Sequence, residues 1–167
     1  MELRDITPDD LPLYEGFYGD ARMMKHLGGA WPKERIPQKL RQNLEVVEAG
    51  TAWVFKVIAD GDSSRAAGLV CVWEHEWRGE RVNEIGWAIL PAFQGRGLAS
   101  EAVREILRKA REESRWGVVH ALPATANAPS NAVCRKAGFT LIEECDLEWN
   151  GQALRCNHWL LDLRSTP

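Results

Sequence analysis

One window of the chain holds residue types and spacings that could do chemistry. It reads Glu84-Ile85-Gly86-Trp87-Ala88-Ile89-Leu90-Pro91-Ala92-Phe93-Gln94-Gly95-Arg96-Gly97-Leu98-Ala99. Its first half predicts a strand that Pro91 ends, and from Gly97 onward the apolar period becomes helical. The first amides of a helix lack partners and carry the positive end of its dipole. Gly95 and Gly97 have no Cβ, so an anion can approach those amides closely. Between Glu84 and Glu101 the single charged residue is Arg96. An acid-free helix start with one arginine suits a pyrophosphate, although a turn with glycines for backbone reasons alone would look the same. Commoner nucleotide loops are excluded. No Gly-x-x-x-x-Gly-Lys-Ser/Thr occurs, and Gly95-x-Gly97 is followed by Ser100 rather than by a third glycine.

The elements that must position this window follow from pattern. Met1 to Ile6 predicts a first strand. Thr7 as N-cap, Pro8 at the first helical position and Asp10 three residues on predict a helix with Leu11, Tyr14 and Phe17 or Tyr18 inward. After a loop at Gly28-Gly29 and Trp31-Pro32, Ile36, Leu40, Leu44 and Val47 form a second helical stripe. Trp53 to Ala59 and Ala66 to Trp77 predict a hairpin across Asp60-Gly61-Asp62-Ser63-Ser64, and a further strand runs from Val82 to Leu90. Leu98, Ala102, Val103, Ile106, Leu107 and Ala110 line one face of the helix after the loop, with Glu105 and Lys109 expected to pair on its wet face. Val118 to Leu122 is a short strand, and Pro129 to Ala137 a short helix with Gly138 as its C-terminal cap. Thr140 to Leu147 and Leu154 to Leu163 form a last hairpin about Trp149-Asn150-Gly151. No linker or repeat interrupts the order, so residues 1–167 predict one α/β domain with a mixed sheet.

Bulk properties narrow the function classes. A chain of 167 residues that is 45% hydrophobic and 27% charged can bury its own core. A net charge of −3 argues against a nucleic-acid footprint. Glu2, Arg4, Asp5, Asp9 and Asp10 leave no room for an apolar leader, and the longest uncharged apolar stretch, Ile85 to Phe93, is too short for a bilayer. No membrane partner is expected, and the setting reads as cytoplasmic. Cys71, Cys134, Cys145 and Cys156 are then expected as reduced thiols. Cys156-x-His158 alone is weak, so no metal site is expected.

Gln94, Gly97 and Ala99 fill the pattern Gln/Arg-x-x-Gly-x-Gly/Ala, which resembles the coenzyme A loop of the GCN5-related N-acetyltransferase (GNAT) superfamily. Glu84-Ile85-Gly86-Trp87 and Glu101-Ala102 read like the branch holding the ribosomal-protein alanine N-acetyltransferases. So do Asn127-Ala128-Pro129-Ser130 and Val133-Cys134-Arg135-Lys136-Ala137-Gly138-Phe139. The element order matches over nearly the whole chain. This resemblance implies a mixed, mostly antiparallel seven-stranded sheet with four helices, its fourth and fifth strands parallel and splayed. It implies acetyl-CoA as cosubstrate. Its pantetheine arm would lie against Trp87, Ala88 and Ile89, and its pyrophosphate on Gln94, Gly95, Arg96, Gly97, Leu98, Ala99 and Ser100. Asn127 and Ser130 would bond the arm, although Asn127 reads equally as a capping residue.

The implied reaction moves an acetyl group to a primary amine, of a peptide N-terminus or a small molecule, by direct attack in a ternary complex. A non-catalytic acyl-CoA-binding module is the alternative, and a homodimer is left open. A carboxylate can take the amine's proton and a backbone N–H can hold the oxyanion. Glu84 is the first candidate base, with Glu74, His75, Glu76 and His120 as alternates. With period two, only one of Asn83 and Glu84 faces the cleft unless a bulge intervenes. The family's usual acid, a tyrosine in the penultimate helix, is replaced here by Cys134, with Ser130 and water as competitors. Tyr14, Phe17, Trp31, Trp149 and Asn150 are candidates for the acceptor walls.

Overall fold

Alternating apolar runs give seven strands, and four amphipathic runs give the helices that cover them. The computed structural model describes residues 1–59, 65–149 and 151–165. In chain order the elements are β1 (Glu2–Asp5), α1 (Leu11–Tyr18), α2 (Ile36–Glu48), β2 (Ala52–Ile58), β3 (Ala66–Trp77), β4 (Glu80–Ile89), α3 (Leu98–Glu112), β5 (Val118–Ala121), α4 (Ala128–Lys136), β6 (Thr140–Trp149) and β7 (Gln152–Asp162). The sheet order is β1-β2-β3-β4-β5-β7-β6. Every neighbouring pair is antiparallel except β4 and β5. The predicted turn at residues 60–64 and Asn150 of the last hairpin lie outside the described residues.

Alternation along each strand separates two cores. On one face Val70, Val72, Ile85, Ile89, Val119 and Trp159 pack against Ala102, Val103, Ile106 and Leu107 of α3 and Val133 and Cys134 of α4. On the other, Val54 and Leu69 pack against Leu13 and Tyr14 of α1 and Ile36 and Leu40 of α2. The α3 stripe is the one expected. Its wet face differs: Glu105 pairs with Arg108, and Lys109 pairs with Glu113. The Arg108 guanidinium makes two bonds to the Glu105 carboxylate, a geometry an ammonium cannot match.

The first helix also starts differently. Pro8–Asp10 form a 3₁₀ turn and the α-helix begins at Leu11. Asp10 accepts the Thr7 N–H at 2.7 Å as the capping pattern requires. Its carboxylate is also ion-paired with Lys56 of β2, which ties this turn to the sheet.

Candidate active site

β4 pairs with β3 along its whole length, from Trp77↔Glu80 to Gly68↔Ile89, with no bulge. Toward β5 it makes one registered pair, Glu84↔His120. The two strands part beyond that point. The Leu90 N–H bonds to the Ala67 carbonyl, so by antiparallel alternation Ala88 directs its polar groups to Leu69, while Trp87 and Ile89 direct theirs into the gap. Of the three residues expected to meet an extended ligand there, Trp87 and Ile89 therefore offer main-chain groups. The Ile89 carbonyl is taken by the Gln94 side-chain amide at 2.8 Å, so Gln94 braces the loop from inside.

The loop ends at α3. Gly97 is the residue before the helix, with φ +82° and no side-chain cap, and Gly95 has φ +76°. Both conformations favour glycine. The first amides of α3 are thus left facing outward, past the exposed Gly95, Arg96 and Gly97. Leu98 buries its side chain in the core and contributes only main chain here. The helix start is not free of acid, because Glu101 lies in the first turn. Arg96 stacks over Phe93 at 5.8 Å.

Asn83 and Glu84 face opposite ways. The Asn83 amide donates to the carbonyls of Trp116 and Val118, at 2.7 and 3.0 Å, on the α3 side. Glu84 therefore faces the α1–α2 side, its side chain 14% exposed, with an oxygen 2.8 Å from His75 Nε2. That contact is close in distance, but the ring N–H is not aligned along it. Burial pushes the Glu84 carboxyl above its ordinary range, against the pull of His75, and the contact with Glu84 raises His75. Glu74 and Glu76 alternate onto the other face, where Glu74 stands opposite Asn83 and near Arg81. They are not beside Glu84. Gly86, next on the Glu84 face, leaves room for the Trp73 ring, since a Cβ there would come within 3.1 Å of it.

His120 joins this face from β5, with His158 from β7, their ring nitrogens 2.8 Å apart. The edges of both rings meet Trp77. Sequence reasoning named His120 but weighed His158 only as half of a metal motif. Period-two spacing from buried Cys156 was the available signal, but β7's place between β5 and β6 was not visible. Asn131 was missed as well. It is buried, donates to the carbonyls of Ala124 and Asn127, and accepts from Asn157 and Trp159. This satisfied amide fixes the start of α4 against β7.

At that start Asn127 is the N-cap, its Oδ1 accepting from the Ser130 N–H at 3.2 Å. The capping role is thus present, and the Asn127 NH₂ and the Ser130 hydroxyl are the groups left to meet a ligand. Cys134 points into the α3-side core, fully buried, and burial pushes its thiol up to about 12. All four thiols are free. Tyr14 is core, its hydroxyl accepting from Asn43, whereas Phe17 and Trp31 are only partly covered. Trp149 ends β6, and Asn150 lies outside the described residues. Among the described residues no group of three or more His, Cys, Asp or Glu could hold a metal, and no helix is long and apolar enough to cross a membrane.

A family model for the acetyltransferase (GNAT) domain matches residues 1–140. The uncharacterized N-acetyltransferase YnaD of Bacillus subtilis (strain 168) is 28% identical over 138 residues, covering 82% of this chain and 77% of that protein. The ribosomal-protein-S5-alanine acetyltransferase of Vibrio fischeri superposes with a TM-score of 0.75 at 19% identity, over 99% of this chain and 94% of the other. The spermidine N-acetyltransferase of Vibrio cholerae, in complex with CoA and spermine, gives 0.78 at 17%, over 97% and 95%. At such identities these two likenesses speak to the fold.

Proposed function

The chain belongs to the GNAT acetyltransferase family, and from that premise we propose that it moves the acetyl group of acetyl-CoA to a primary amine by direct attack in a ternary complex. The observation that carries this reading is the juxtaposition at β4. A strand edge open at Trp87 and Ile89 lies between outward-facing helix amides and the largely covered carboxylate of Glu84 on the α1–α2 face.

In this proposal the amides from Gly95 to Ser100, with Arg96, hold the pyrophosphate, and Gln94 acts by fixing the loop. Trp87 and Ile89 pair with the pantetheine arm, Ala88 supplies a small side chain, and Asn127 and Ser130 bond the arm from across the gap. A gap-facing N–H of β4 stabilises the oxyanion of the tetrahedral intermediate. Glu84 takes the amine's proton. Three residue steps along the strand lead from it to Trp87, roughly 10 Å at about 3.3 Å each, so a water completes the reach. The departing thiolate takes a proton in return. The raised, core-facing thiol of Cys134 supports water or Ser130 as its source over Cys134 itself. A peptide N-terminus and a small polyamine are both in scope, since relatives of this fold are named for each. A cytoplasmic setting, with the thiols reduced, completes the proposal.

The test is release of free CoA thiol from acetyl-CoA against an amine panel. The panel holds peptides beginning with alanine or serine, and polyamines. Turnover with at least one amine, well above hydrolysis, is expected. Hydrolysis alone across the panel would contradict the reading.

A further inference from the structure

Beside Glu84 lies a run of polar side chains that leads from the sheet interior to the surface. His120 sits across from Glu84 in register and on the same face. Its Nδ1 is 2.8 Å from His158 Nε2, and the two rings are coplanar to within 7°. His158 is 6% exposed, and its other nitrogen, Nδ1, is buried without a hydrogen bond, 3.9 Å from the Glu143 carboxylate. Glu143 is half-exposed on β6 and ion-paired with Arg78. Trp77 packs at a steep angle against both imidazoles.

We propose that His120 and His158 relay the acceptor's proton from Glu84 to the outer surface at Glu143. This rests on the acetyl-transfer reading above. In each turnover a C–N bond forms and a C–S bond breaks. One proton leaves the amine, and one is returned to the thiolate from water. A carboxylate as buried as Glu84 must lose its proton before the next cycle. An imidazole can accept at one nitrogen and donate from the other. Glu84 touches His75 rather than His120, so a water hands its proton on, and one entering at His120 Nε2 is matched by one passing from Nδ1 to His158 Nε2 and by one leaving His158 Nδ1 toward Glu143. The last gap is in ion-pair range but longer than a hydrogen bond, so a small ring rotation or a water closes it.

The charged and titratable groups facing the pair are His75 from β3, Glu80 and Glu84 from β4, Glu143 from β6 and Arg78 from the β3–β4 turn. Burial lowers both imidazoles, and the charge on His158 lowers His120 further. The resting pair is therefore neutral at pH 7 and carries an added proton only transiently.

His120→Gln and His158→Gln test this with two readouts. The first is turnover against pH, with the best amine of the panel. Each variant should lose about 10²-fold in kcat near neutral pH, the low end for lost proton transfer. KM for acetyl-CoA should be unchanged, and added imidazole should restore part of the rate to His120→Gln. An unchanged kcat and pH profile, or a loss that follows thermal stability and ignores imidazole, would overturn the relay. The second readout is the imidazole ¹⁵N NMR titration of the free protein. His158→Gln should shift the titration of His120, and Glu143→Gln that of His158. Independent titrations would overturn the relay even in a wild-type protein that turns over no amine, an outcome that by itself counts only against the acetyl-transfer reading.

Discussion

The two faces of β4 are made from alternate residues of one strand and end up chemically opposite. On the α3 face, Ile85 and Ile89 enter a core of Val70, Val72, Val103, Ile106 and Val119, and Asn83 beside them spends its amide on two carbonyls. On the α1–α2 face, Glu84 meets His75, with His120 and His158 alongside. On the proposed reading the dry face holds the helix whose N-terminus meets the cofactor, so it must be rigid. On the same reading the other face admits a substrate and holds a charge, with titratable groups kept at a cost in desolvation. If this division is right, damage to each face should appear in a different measurement.

The largest effect expected is on rate. Glu84→Gln should keep the shape and cofactor affinity while lowering turnover about 10²- to 10⁴-fold. Its raised carboxyl places the acidic limb of the wild-type profile above the usual range for glutamate, and the loss should shrink as pH rises and more amine arrives deprotonated. A fully active, equally stable variant would break the comparison on this side.

Next in size is Ile106→Ala on the dry face. Ile106 is fully buried, so truncation should cost about 2–5 kcal/mol of stability. Turnover per folded molecule should be kept. A rate loss without a fall in melting temperature would show that the faces are not separable.

A smaller effect sharpens the picture of the polar face. The folded pKa values of both His75 and Glu84 are raised, so the native state holds protons that the unfolded chain releases first. The His75 contribution is fully present below about pH 6.5 and is lost as pH rises through its higher folded value. The Glu84 shift gives a slope of the same sign, beginning above about pH 4.5. These two groups therefore contribute a falling slope toward basic pH, opposed near neutrality by the lowered His120 and His158, and His75→Gln should remove the falling part that His75 supplies. An identical slope in the variant would remove the pair from the account.

What could be read from the sequence was what is local. The helix stripe from Leu98 to Ala110, the turn glycines before it and the Asn127 cap each depend on neighbours within a few residues, and each is present. Orientation was legible only as a choice. Period two required Asn83 and Glu84 to part company, and carbonyls that α3 and β5 bring close to Asn83 decided which way. The His120–His158 pair and the Asn131 network were not legible, because their partners lie 38 and 26–28 residues away and meet only where β7 inserts beside β5. Gly97 takes a left-handed conformation, which its residue type permits but does not by itself require. A Gly97→Asp variant would therefore mix backbone strain with lost anion binding, and Arg96→Glu probes the loop more cleanly.

The most direct test of the central claim is thermal melting with acetyl-CoA, and with NAD and ATP as controls. A ligand at 100 times its dissociation constant adds about 2.7 kcal/mol to a folded state that alone binds it, a shift of roughly 5–10 °C for a chain this size. Acetyl-CoA should produce that shift, Arg96→Glu should reduce it, and the two controls should leave the melting temperature unchanged. No shift at millimolar acetyl-CoA would contradict the account at its root.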